Sequence, residues 1–199
     1  MEKVCFWVAA AFLFVLLPAF GTNIVVNPGF ESGLSGWTTN PCVGPSCSIF
    51  GPDQWSAAPL YPHTGLNAAN SGCVSALCLD PAGGDWIAQT LTTVPSTTYV
   101  LSFWMDPHGT PGDATVEIDT FWDGVLVGTF AAEPEGYHQY FVTGLIATST
   151  STLLKISGRS DPFLVFLDDI EVDVPEPMSV ALGGLGLGLL GLLQTRRNR

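Results

Sequence analysis

Apolar and polar positions alternate with a period of two through most of the second half of the chain, and no window of about 11 residues carries a helical period. In 98–105, Tyr99, Leu101, Phe103 and Met105 take one side and Val100, Ser102 and Trp104 the other. In 114–121, Val116 and Ile118 are opposed by Glu117 and Asp119. Further runs at 24–26, 85–94, 125–130, 137–146, 152–157 and 164–172 also read as strands, separated by Gly, Pro, Asp and Ser. Pro95-Ser96 marks a turn, and Asp123-Gly124 marks a tight hairpin because both residues tolerate positive φ. The pattern predicts an all-β domain, a two-sheet sandwich of jelly-roll type. Residues 31–85 are irregular and loop-rich.

Two apolar segments break this pattern, one at each end. At the start, Lys3 precedes an apolar stretch over 4–17, Pro18 ends it, and Ala19-Phe20-Gly21 supplies small residues. This order predicts a signal peptide over 1–21, removed by signal peptidase, with an uncleaved N-terminal anchor as the alternative. At the other end Pro175-Glu176-Pro177 is followed by an uncharged run over 178–193 and then by Arg196, Arg197 and Arg199. As a helix that run spans roughly 24 Å, short of a ~30 Å hydrocarbon core, so it crosses a membrane only with thinning or snorkelling at its ends. The arginines hold the C-terminus on the cytoplasmic side. The tail, 174–199, resembles the PEP-CTERM sorting signal of Gram-negative bacteria that make extracellular polysaccharide. That resemblance implies recognition by an exosortase and cleavage near Pro175, Glu176 and Pro177. It further implies export through the inner membrane, transient anchoring, and release to the cell surface or medium. A plain tail anchor with a proline-rich stalk is the alternative.

The region between the ends, 22–173, is long enough for one domain with a sizeable core. Its only cations are Lys155 and Arg159, against sixteen acidic residues, a formal charge of −14. Nucleic acid is excluded as a partner, since phosphate contacts need clustered Lys and Arg. Anionic lipid or polysaccharide would be repelled unless a divalent cation intervened. Cys42, Cys47, Cys73 and Cys78 form two C-x4-C pairs. In an oxidising compartment they predict disulfides, with three connectivities open and the local pairs Cys42–Cys47 and Cys73–Cys78 preferred. Zinc fits this spacing less well than the C-x2-C knuckle.

Three landmarks stand in order: Asn27-Pro28-Gly29-Phe30-Glu31 with Gly36-Trp37, then 89–104, then Phe166-Leu167-Asp168-Asp169-Ile170. Together they resemble the galactose-binding-like jelly rolls, including several families of carbohydrate-binding modules. The resemblance implies a structural calcium ion held by the Gly29 carbonyl and the carboxylates of Glu31 and Asp168. All are the hard oxygens calcium takes. Strand alternation would send Asp169 to the opposite face. The alternative is that Glu31 and Asp168 accept backbone N–H groups in turns. Sugar binding needs exposed aromatic faces. Trp55, Trp86 and Trp122 are the candidates, with Tyr61 a fourth, while Trp37 belongs to the core and Trp104 faces away from Tyr99 and Phe103. Related modules bind on the concave sheet face or at the loops of one end.

No catalytic motif is present: His63, His108 and His138 are far apart, and no G-x-S-x-G elbow occurs. A non-enzymatic protein is expected, either one that binds extracellular polysaccharide or a structural envelope or matrix protein without a specific ligand. Intact mass measured on protein from its native host should give a species that begins near Thr22 and ends near Pro175-Glu176-Pro177. A membrane-bound species that retains 178–199 would mean a plain anchor.

Overall fold

A computed structural model of the protein describes residues 21–40, 55–80, 84–108, 115–131, 133, 136–161 and 163–174. The first sheet holds, in spatial order, β1 (Thr38–Asn40), β4 (Trp86–Thr92), β9 (Ser151–Asp161), β6 (Thr115–Trp122) and β7 (Val125–Ala131). The second holds β2 (Ser56–Ala58), β3 (Ala68–Ser71), β10 (Val165–Asp173), β5 (Thr98–Asp106) and β8 (His138–Ile146). Every ladder is antiparallel. From β7 to β10 each consecutive strand lies in the other sheet, as do β4 and β5. The chain thus weaves between two layers, as a jelly-roll sandwich does.

The alternating residues place the core between the sheets. Tyr99, Leu101, Phe103 and Met105 of β5 and Leu167, Ile170 and Val172 of β10 meet Ile118 of β6, Leu154 and Ile156 of β9, and Ile87 and Leu91 of β4. Each large side chain buried this way contributes roughly 1.5–3 kcal/mol. Between β6 and β7, Asp123 and Gly124 both take positive φ (52° and 82°), the backbone of a two-residue hairpin turn. In the irregular third, β1, β2 and β3 are short, and a 3-10 helix at Ala76–Leu79 lies between β3 and β4. Ser75 caps that helix, its Oγ accepting the Leu77 N–H at 3.1 Å.

The expected strand at 24–26 does not form. The Ile24 N–H donates to the Val172 carbonyl of β10 at 3.1 Å, but side chains take the neighbouring hydrogen bonds that a strand ladder would have taken. Asn23 Oδ1 accepts the N–H groups of Val25 and Val172 at 2.9 and 3.0 Å, and Gln89 bonds both the N–H and the carbonyl of Val26 at 2.7 and 2.9 Å. Cys73 and Cys78 form a disulfide across the 3-10 helix, as the local pairing anticipated. With those two thiols oxidised, a zinc site built from all four cysteines is ruled out. Cys42 and Cys47 lie outside the described residues, as do residues 1–20 and the tail with Pro175, Glu176, Pro177, Arg196 and Arg197. Among the described residues no helix is long and apolar enough to cross a membrane.

Trp55 enters the core beside β9 because Gly158 leaves room for it. A Cβ on Gly158 would stand 2.6 Å from the Trp55 ring and 3.2 Å from Ile118 Cδ1. Gly158→Ala should therefore destabilise the domain by about 2 kcal/mol through overpacking. Denaturant unfolding of the two chains measures this; unchanged stability would mean that Trp55 does not pack there.

Candidate functional site

On β10, Leu167 points into the core and Asp168 points out of the sandwich, yet Asp168 is fully buried. A loop covers it. Asp168 Oδ2 accepts the backbone N–H groups of His63 and Thr64 at 2.8 and 3.1 Å, and its Oδ1 accepts the Asp169 N–H at 2.8 Å. Asp169 holds the same loop by side chains: Oδ2 to His63 Nδ1 and Oδ1 from the Thr64 hydroxyl, both at 2.7 Å. Glu31 fastens the loop's other end, accepting the Leu66 and Asn67 N–H groups at 2.9 Å each.

Asp169 can join Asp168 because the strand is bulged there. The β10–β5 register runs from Asp168 opposite Trp104 to Glu171 opposite Ser102, and Asp169 takes φ +46°. The expectation that alternation sends Asp169 to the far face is thus corrected. Gly29 sits against this bulge: a Cβ there would stand 3.4 Å from Asp169 Oδ1 and 3.5 Å from Asp168 Oδ1. The Ile170 N–H donates to the Pro28 carbonyl at 3.1 Å and ties the N-terminal turn to the strand. Gly29 and Asp168 are therefore brought together, with Asp169 added, while the Glu31 carboxylate is drawn onto the 65–67 turn. Among the described residues no group of three or more His, Cys, Asp and Glu side chains is arranged to hold a metal ion. Glu31 and Asp168 thus accept backbone N–H groups, the alternative to calcium ligation named for them above.

Clamped in this way, the loop lays two rings on the outer side of the second sheet. His63 stacks on Trp104, centroids 4.0 Å apart and planes at 19°. Tyr61, at φ +47°, stacks on His108 at 3.5 Å and meets the edge of Phe166 at 5.5 Å. The Tyr137 hydroxyl donates to the Tyr61 carbonyl at 2.7 Å, and the Tyr137 ring tilts against His63 at 5.1 Å. Tyr61 stays 46% exposed, so the cluster presents aromatic surface to solvent over a buried floor of Phe166 and Asp106. Asp106 Oδ2 lies 3.6 Å from His108 Nδ1, whereas its Oδ1 is buried without a hydrogen-bond partner.

Burial sets the electrostatics of this face. It pushes the Asp168 carboxyl up to about 6, against the pull of its N–H donors. It raises Asp106 too, despite nearby His108. Burial, reinforced by Asp168, Asp106 and Asp169, pushes the Tyr137 phenol upward, so it remains a neutral donor.

The tryptophan candidates fare differently. Trp55 and Trp122 are 1% and 5% exposed, which corrects their assignment as sugar platforms. Their indole N–H groups donate inside the fold, to the carbonyls of Asp85 at 3.3 Å and Ile146 at 3.0 Å. Trp86 stands on the outer side of the first sheet, with Lys155 Nζ 4.6 Å above its ring. None of the three joins the cluster. Tyr61 does, and sequence reasoning missed Trp104, Tyr137 and the stacked histidines. The outward alternation of Trp104 in β5 was the available signal.

No protein-family model matches the chain, and neither does any curated protein sequence. Solved structures of similar fold exist. A family 61 carbohydrate-binding module in complex with β-1,4-galactotriose is 16% identical, with a TM-score of 0.54, over 77% of this chain and 99% of that one. The CBM22-1 xylan-binding domain of Xyn10C from Paenibacillus barcinonensis is 11% identical, with a TM-score of 0.54, over 79% and 97%. The K3 adhesin domain of Lys-gingipain from Porphyromonas gingivalis is 13% identical, with a TM-score of 0.52, over 75% and 98%. At these identities the likeness is one of fold.

A carboxyl whose pKa is raised by folding favours the folded state while protonated. The Asp168 contribution is therefore complete below pH 3.8 and is lost as pH rises through about 6. Unfolding at pH 4 and pH 7 with a chelator present should show that Asp168→Asn removes about 2 kcal/mol of the wild-type loss between them. An unchanged pH difference would place the Asp168 charge in water.

Proposed function

We propose that this chain is a non-catalytic glycan-binding protein whose binding face is the outer side of the second sheet. One observation carries the reading: a clamped loop fixes an aromatic cluster of exposed Tyr61 with half-buried Trp104 and Tyr137 on the side of the sheet that holds Asp106, whose Oδ1 has no hydrogen-bond partner. Pyranose rings present C–H faces to aromatic side chains and hydroxyls to nearby acceptors, and both are present here. Support also comes from the shared fold of the galactotriose-bound module and the xylan-binding domain. The reading includes export, an exosortase acting on the 174–199 tail, and extracellular polysaccharide as the partner, all of which rest on the sequence pattern. A structural matrix role without a ligand is disfavoured by Trp104 and Tyr61, which keep aromatic surface at the solvent rather than in the core.

Calcium is a separate proposal about stability. Gly29 through its carbonyl, with Asp168 and Asp169, would hold the ion, which would supply positive charge to buried Asp168 and part-exposed Asp169 and pin the N-terminal turn to the β10 bulge. Metal-stripped full-length chain should gain several degrees of melting temperature on adding calcium, and Asp169→Asn should gain much less. No heat of binding and no thermal shift would end this proposal.

Retention of the full-length chain on a panel of insoluble neutral, acidic and amino polysaccharides tests the binding face. Tyr61→Ala should weaken binding about tenfold or more, and Trp86→Ala should leave it unchanged. Retention lost with Trp86→Ala but kept with Tyr61→Ala would move the site to the other sheet.

A further inference from the structure

Resting on the glycan-binding reading, we propose that the polysaccharide this face takes carries free, protonated amino groups, as an unacetylated or partly unacetylated amino-sugar polymer does. The charges are distributed one-sidedly. Lys155 and Arg159, the cations of the 22–173 region, both stand on β9, and their register partners Ala88, Phe121 and Glu117 place them on the outer side of the first sheet. The outer side of the second sheet holds Asp106, Asp168, Glu171 and Asp173, with Asp169 at the bulge; its basic groups are the histidines His63 and His108 against Asp169 and Asp106, and among the described residues it has no Lys or Arg.

An acidic surface alone is not a binding site. The second observation is Asp106, which is 4% exposed and sits on the same side of β5 as Trp104; the Gly136 backbone and His108 partner its carboxylate, while its Oδ1 is buried without a hydrogen-bond partner. A hydroxyl would give that oxygen a donor but add no positive charge to the one that His108 can carry. An ammonium supplies donors and opposite charge together, which is what a buried carboxylate requires to offset its desolvation. The rings beside it suit the same guest, since the faces of Tyr and Trp attract a cation held within about 6 Å. Each ring has a histidine on one face, His108 on Tyr61 and His63 on Trp104, and Tyr61 also meets the edge of Phe166. The same carboxylates disfavour uronate and sulfate polymers by like-charge repulsion.

Isothermal titration of the full-length chain tests this at pH 7, above the raised Asp168 carboxyl at about 6, with a chelator present. Short glucosamine oligomers are compared with N-acetylglucosamine oligomers of the same length. The free-amine oligomers should bind about tenfold tighter, with an advantage that shrinks as salt rises. Asp106→Asn should abolish the preference. Glu117→Gln, which removes one charge from the opposite sheet, should keep it, and this separates recognition from the general attraction of an acidic protein for a polycation. Equal or tighter binding of the acetylated oligomers overturns the proposal while leaving glycan binding intact. A folded Asp106→Asn protein that keeps the preference also overturns it. Failure to bind any oligomer or polysaccharide of the panel removes the glycan-binding reading itself. If Asp106→Asn does not fold, the comparison of the two oligomers on the unaltered chain stands alone.

Discussion

The fully buried carboxylate of Asp168 ties the outer face of the second sheet together. It faces away from the core, and it is dry only because it draws the 61–67 loop over itself through two backbone N–H groups. Such a group is costly to bury without partners. The loop, the β10 bulge and the N-terminal turn at Gly29 are the partners and spacers that make its burial tolerable. With Asp169 on His63 and the Tyr137 hydroxyl on the Tyr61 carbonyl, that clamp holds His63 against Trp104 and brings Tyr61 against Phe166.

The sandwich separates two kinds of surface. Outside the first sheet, Lys155 lies over Trp86, and Asp119 accepts the Thr129 hydroxyl at 2.6 Å, so its large ring and its carboxylate are already engaged. Outside the second sheet, rings stack in pairs over carboxylates that are desolvated and only partly satisfied. The difference lies in covering elements rather than in composition, since both faces carry aromatics and acids. The proposed glycan would use the rings and the hydrogen-bond acceptors together, and the acidity of the face then bears on which glycan.

Alternation in 98–105 was enough to predict both the core side of β5 and the outward position of Trp104. The Asp123-Gly124 hairpin and the Cys73–Cys78 bridge were legible because each depends on residues close in sequence. The strand expected at 24–26 failed because Asn23 and Gln89 side chains replaced its ladder, which periodicity does not register. Trp55 and Trp122 were misplaced for a related reason. A polar neighbour in sequence says little about exposure when successive side chains point to opposite sides of a strand. The cavity that receives Trp55 is created by Gly158, far along the chain. The proposed binding face was hidden for the same cause, as His63 is positioned by a carboxylate 105 residues away.

The most direct measurement is a titration of the isotope-labelled chain with polysaccharide fragments, followed through the indole N–H resonances of its tryptophans. Binding on the outer side of the second sheet predicts a progressive shift of the Trp104 signal while those of Trp55, Trp86 and Trp122 stay in place. A shift of Trp86 with Trp104 unmoved would contradict it and put the ligand on the opposite sheet.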